Sequence, residues 1–99
     1  MKLLDENKYK GRKVCPINSH HLQNGNFFWL TGGLDGSTFV VYLNQINAKE
    51  MSGVPKTFEI RDKKFTSFKG MHLSLDCEGK IAIIFTKKHQ IYIDITYAV

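Results

Sequence analysis

The sequence predicts a mainly β fold, a single antiparallel meander sheet or small barrel of about six to seven strands, with one short helix near residues 45–52. Three observations carry this expectation. From residue 26 onward apolar residues recur with period two, the spacing that lines one face of a strand. Turn dipeptides punctuate the chain roughly every 8–12 residues, the rhythm of a meander. One stretch, "NQINAKEMSGVP", breaks the alternation and carries helix signals instead.

Taken in order, residues 3–9 hold a helical pattern too faint to define an element. In "QNGN", Asn24-Gly25 is the strongest short hairpin signal. A turn there pairs Gln23 with Asn26, Leu22 with Phe27, His21 with Phe28 and His20 with Trp29. Next, "FFWLT" and "STFVVYLN" flank "GGLDG", where a turn at Asp35-Gly36 sets Trp29 opposite Tyr42 and Leu30 opposite Val41. In the helical stretch Asn44 reads as the N-cap, Gly53 as the residue ending the helix and Pro55 as the stop.

Downstream, "TFEIRDKKFTSF" reads as a hairpin turning at Asp62-Lys63 and pairing Ile60 with Phe65. "MHLSL" presents Met71, Leu73 and Leu75 as one apolar row, and "DCEGK" turns the chain back. "KIAIIFTK" puts Ile81, Ile83 and Phe85 on one face with Ala82 and Ile84 behind. After the tight turn "KKHQ", the last strand shows Ile91, Ile93, Ile95, Tyr97 and Val99 one way, and Gln90, Tyr92, Asp94 and Thr96 the other.

The 99 residues are 42% apolar and include seven Phe, four Tyr and one Trp, which suits one globular domain spanning 1–99. No stretch approaches the roughly 20 apolar residues of a membrane span. The N-terminus "MKLLDENKYKGRK" has no apolar leader core, so the expected location is cytoplasmic. There Cys15 and Cys77 are expected to stay reduced and unbridged.

The net charge of +5 arises in three parcels, residues 1–13, 56–69 and 80–89, each carrying +3. Only Arg12 and Arg61 are arginines among fourteen basic residues. Lysine suits a solvated surface, whereas phosphate and base readers favour the guanidinium fork.

Several constellations invite a catalytic or metal reading. Cys15, His20, His21, His72 and Cys77 have the right chemistry for zinc, but structural zinc sites present close ligand pairs from a turn. The Asn24-Gly25 hairpin instead sends His20 and His21 to opposite faces, and His72 and Cys77 are separated by the same parity. No base is set beside Cys15, and nothing makes His20, His72 and a lysine converge on a phosphate. "GGLDGS" lacks the P-loop lysine. No catalytic residue, metal ligand or cofactor is therefore expected, and a small hydrolase or nuclease ranks third among the readings.

Strand parity defines two faces. Phe28, Leu30, Phe39, Val41 and Leu43 form the purer hydrocarbon row and read as core. His20, Leu22, Phe27, Trp29, Val40 and Tyr42 form the other, with Trp and Tyr as typical interface anchors. The leading expectation is a non-catalytic binding protein, a small inhibitor or immunity-type protein occluding an acidic protein partner. Its expected contact residues are His20, Trp29, Tyr42, Arg61, Lys63, Lys64, Lys87 and Lys88. The alternative is a single-stranded nucleic-acid-binding β module. Against it, a strict meander puts Arg61, Lys63, Lys64 and Lys80 at one end and Lys69, Lys87, Lys88 and His89 at the other, which makes no continuous phosphate track. An exposed edge strand within 57–60 or 90–97 offers a route to a homodimer.

Overall fold

The alternating pattern and its turns fold as antiparallel strands. In the structure, a computed structural model that describes residues 1–15 and 21–96, Asn24 and Gly25 take φ of 51° and 80°. Those two positive values make a primed turn whose twist matches the strands it joins. It links β3 (His21–Gln23) to β4 (Asn26–Asp35), with His21↔Phe28, Leu22↔Phe27 and Gln23↔Asn26 paired as expected. β5 (Thr38–Asn47) and β6 (Lys56–Arg61) complete a four-stranded meander, β3-β4-β5-β6.

A second sheet has the order β1-β9-β8-β7-β2. Its centre is the meander β7 (His72–Asp76), β8 (Ile81–Phe85) and β9 (Gln90–Asp94). The N-terminal strands β1 (Lys2–Leu4) and β2 (Val14–Cys15) flank it, joined through α1 (Glu6–Tyr9). The class is thus mainly antiparallel β with meander connections, divided over two sheets. The division follows from apolar residues on both faces of β8, which need cover on two sides.

Between the sheets, Phe28, Val41, Leu43 and Ile60 meet Leu73, Leu75, Ala82, Ile84, Ile91, Ile93 and Ile95. Leu30, Phe39 and Met71 pack at the margin, so the row read as core is the core. On the far side of the second sheet, Ile81, Ile83 and Tyr92 gather Leu4, Tyr9, Val14 and Phe85 around them. Tyr9 approaches Tyr92 with ring centroids 6.1 Å apart.

Four expectations are corrected. The helix near 45–52 is absent: Gln45–Asn47 finish β5, and only a 3₁₀ turn, Ala48–Glu50, follows, capped by Asn47. Helix propensity is a weak local preference, and pairing of β5 on both sides overrides it. The β4–β5 turn lies at Gly36-Ser37, so Trp29 faces Asn44 and Tyr42 faces Thr31. That is a two-residue shift, so each side chain keeps the face assigned to it. There is no hairpin at Asp62-Lys63; residues 62–71 cross from one sheet to the other without forming a strand. Finally, β9 lies inside its sheet, leaving β6 as the edge among the two segments named for pairing.

Cys15 and Cys77 are joined in a disulfide with Cα atoms 5.0 Å apart, which overturns the expectation of two free thiols. β2 pairs Cys15 with Leu75, carrying its thiol beside the residue just beyond β7. Nearby, buried Asp76 organises the β7–β8 turn. Its Oδ1 accepts from the Lys80 and Ile81 backbone N–H groups at 2.7 and 2.9 Å, and its Oδ2 accepts from Arg12.

Candidate functional site: a lysine cleft

The crossing segment 62–71 has no ladder to hold it, so local bonds and two phenylalanines fix its course. Asp62 caps a turn, its Oδ1 accepting from Lys64 N at 2.9 Å and its carbonyl from Phe65 N at 3.0 Å. Phe65 then enters the core at 4% exposure. Phe68 meets Phe39 edge-on at 5.5 Å between centroids and lies over Gly32. With Phe65 buried and Phe68 packed on Phe39 and Gly32 but still exposed, Lys63, Lys64 and Lys69 are left along the outer side of the segment.

The β8–β9 turn comes to meet it. Thr86 and His89 close that turn with three hydrogen bonds of 2.9–3.0 Å, two of them through the Thr86 hydroxyl. Lys87 lays its stem against Gly70, where an added Cβ would sit 3.2 Å from the Lys87 Cγ. The two loops bound a cleft of about 340 Å³. Five lysines line it: Lys63, Lys64, Lys69, Lys87 and Lys88. His89 and the hydroxyl-bearing Thr66, Ser67 and Thr86 complete the wall.

Of these ammonium groups only Lys64 has a carboxylate partner among the described residues. Its Nζ is 2.8 Å from Glu6 Oε2, while Glu6 Oε1 accepts from Gln90 N at 3.2 Å. The Lys64 hydrogen bond, then the Gln90 N–H, hold the Glu6 carboxyl below its usual pKa, and Glu6 in turn raises that of Lys64. Lys63, Lys69, Lys87 and Lys88 have no such partner among the described residues. No hydrogen bond to another described side chain orients the His89 imidazole, and the cleft presents positive charge and hydroxyl groups.

The aromatic face lies elsewhere. Phe27, Trp29 and Ile46 project from the outer side of the four-stranded sheet and, with Met51, Gly53 and Pro55, line a groove of about 530 Å³. Tyr42 and Arg61 lie further along the same face, outside that groove. Arg61 is bound by two carboxylates, Asp35 and, at 3.1 Å, Glu59, which raise its pKa.

No protein-family model, curated protein or solved structure matches this chain.

Of the residues expected to contact a partner, Lys63, Lys64, Lys87 and Lys88 come together, whereas Trp29, Tyr42 and Arg61 belong to the other face. His20 lies outside the described residues. The expectation that Lys63 and Lys64 sit at the opposite end from Lys69, Lys87, Lys88 and His89 is corrected: all six line one cleft, because 62–71 crosses between sheets and does not turn back as a hairpin. Thr66, Ser67 and Thr86 were missed, since lone hydroxyls in turns carry no sequence signal of a site. Ile46, Met51 and Pro55 were missed because their segment read as helix. His72 stacks on Phe85 at 4.8 Å. Both cysteines are consumed by the disulfide, and no group of three potential ligands able to hold a metal occurs among the described residues.

Proposed function

We propose that this chain is a non-catalytic binding protein of the inhibitor or immunity type, which occludes an acidic protein partner. The observation that carries the reading is the convergence of Lys63, Lys69, Lys87 and Lys88, without described carboxylate partners, on one concave end. Uncompensated like charges held together repel each other, and an acidic partner relieves that repulsion while the field speeds encounter.

The nucleic-acid alternative is weaker on two counts. The cleft has no phenyl, phenol or indole ring, and the His89 imidazole is the one ring among its lining residues, so bases would find little there to stack on. The aromatic face, conversely, carries Asp35 and Glu59 around Arg61, a poor setting for a phosphate backbone. Among the described residues no helix is long and apolar enough to cross a membrane. The Cys15–Cys77 bridge favours an oxidising compartment over the cytoplasm first expected.

The test is capture of a partner by immobilised wild-type protein and by a Lys63→Glu/Lys88→Glu variant. One acidic protein should be retained at unit stoichiometry by the wild type, lose its activity when bound, and escape the variant. Micromolar binding of single-stranded oligonucleotides at physiological salt, with no protein retained, would overturn the reading.

A further inference from the structure

We propose that the cleft receives a linear run of acidic side chains, a flexible Asp/Glu-rich segment of the partner, and not a flat acidic surface. This rests on the reading of the protein as a binder of an acidic partner, and adds how that partner is held.

Glu6 shows what the cleft accepts. Its carboxylate bridges the Lys64 ammonium and the Gln90 backbone N–H, so one of the lining lysines already holds a carboxylate from this chain. Beyond it, Lys63, Lys69, Lys87 and Lys88 offer four further ammonium groups around the same cavity. The volume of about 340 Å³ is many times the share of one water molecule, about 30 Å³, so more than one carboxylate fits. The walls also constrain how it is reached. A concave site between two loops admits a chain that enters it, whereas a flat surface would touch only its rim.

The lining points to carboxylates on a peptide over other polyanions. It contains no arginine, whose fork gives phosphate its bidentate grip, and no ring for a base beyond the single His89 imidazole. Lysines are point charges on long stems, able to follow a run of flexible acidic side chains. Glu6 then acts as an internal competitor: it neutralises Lys64 and adds a negative charge at the mouth.

The experiment is calorimetric titration of the purified, oxidised protein with octaglutamate at about 50 mM salt, where charge contacts are weakly screened. Wild type should bind one peptide. Lys63→Glu/Lys88→Glu should weaken binding at least about tenfold, and Glu6→Gln should tighten it about two- to threefold by removing the competitor. Lys10→Glu/Lys13→Glu makes the same change in net charge outside the cleft and should shift affinity less than about twofold. All these positions but Glu6 are exposed, so circular dichroism should show the folds intact. The proposal falls if octaglutamate fails to saturate, if the two double variants weaken binding equally, or if oligothymidylate or polyphosphate of equal charge binds more tightly. Octaglutamate failing while a captured partner still depends on Lys63 and Lys88 would remove the acidic-segment mode and leave the acidic-partner reading standing.

Discussion

Glu6 and Lys64, 58 residues apart in sequence, meet at 2.8 Å and tie the N-terminal helix to the segment that crosses between the sheets. The second Glu6 oxygen accepts from Gln90 N, so three distant parts of the chain share one carboxylate.

That carboxylate makes stability depend on pH in a defined direction. The Lys64 and Gln90 hydrogen bonds lower the folded-state pKa of Glu6 below its ordinary 4.5. The pair therefore stabilises the fold fully above about pH 4.5 and ceases to do so as pH falls through the folded value. Lys64, raised by the same contact, contributes below its ordinary 10.5 and loses that contribution as pH rises through its folded value. Glu6→Gln should cost about 1 kcal/mol or less near neutrality, since both side chains keep some solvent contact. In urea unfolding the gap between wild type and Glu6→Gln should narrow steadily below pH 4.5.

Gly32 has no room for a side chain. A Cβ there would lie 2.5 Å from the Val40 carbonyl oxygen and 2.8 Å from the Phe68 ring. Gly32→Val should destabilise by about 1–3 kcal/mol through overpacking. It should also loosen Phe68 and hence the placing of Lys63 and Lys69. Phe68→Ala in the same chain should relieve only part of the loss, because the carbonyl remains; equilibrium unfolding of the two single variants and the double variant measures this coupling.

The Cys15–Cys77 bridge closes a separation of 62 residues. Cross-linking of that span restricts the unfolded chain, so reduction, or Cys15→Ser with Cys77→Ser, should cost about 2–4 kcal/mol. Thiol titration of the unfolded, unreduced protein should find no free thiol, and chemical unfolding with and without reductant gives the energy. Equal midpoints in the two conditions would refute the estimate.

The sequence was most legible where local chemistry and alternation agree. At Asn24-Gly25 both residues reach positive φ readily, and the β3–β4 pairs follow residue by residue. In β8, Ile81 and Ile83 fall on one side with Ala82 and Ile84 on the other, as the alternation dictates. Legibility declined at "GGLDGS", where two adjacent dipeptides suit a hairpin; Gly36 at φ 63° takes the turn one place later. It failed at 45–47, where Asn44 and Gln45 read as helix start but are held in β5 by neighbours on both sides, Asn44 by Trp29 and Thr57, and Gln45 by Phe28 and Lys56.

By itself the sequence determined the antiparallel β class, the faces of the strands and which apolar row is core. Each of these rests on a period of two or on the dihedral preference of a turn, and both act over a few residues. The tertiary structure decided which distant segments meet. The 62–71 crossing between sheets, fixed by Phe65 and Phe68, carries Lys63, Lys64 and Lys69 to the Thr86–His89 turn and its Lys87 and Lys88. The same assembly of strands sets Cys15 against Cys77 and Glu6 against Lys64. A lysine in a turn looks alike in sequence whether it stands alone or among five, because its neighbours are supplied by sheet packing and not by the residues beside it.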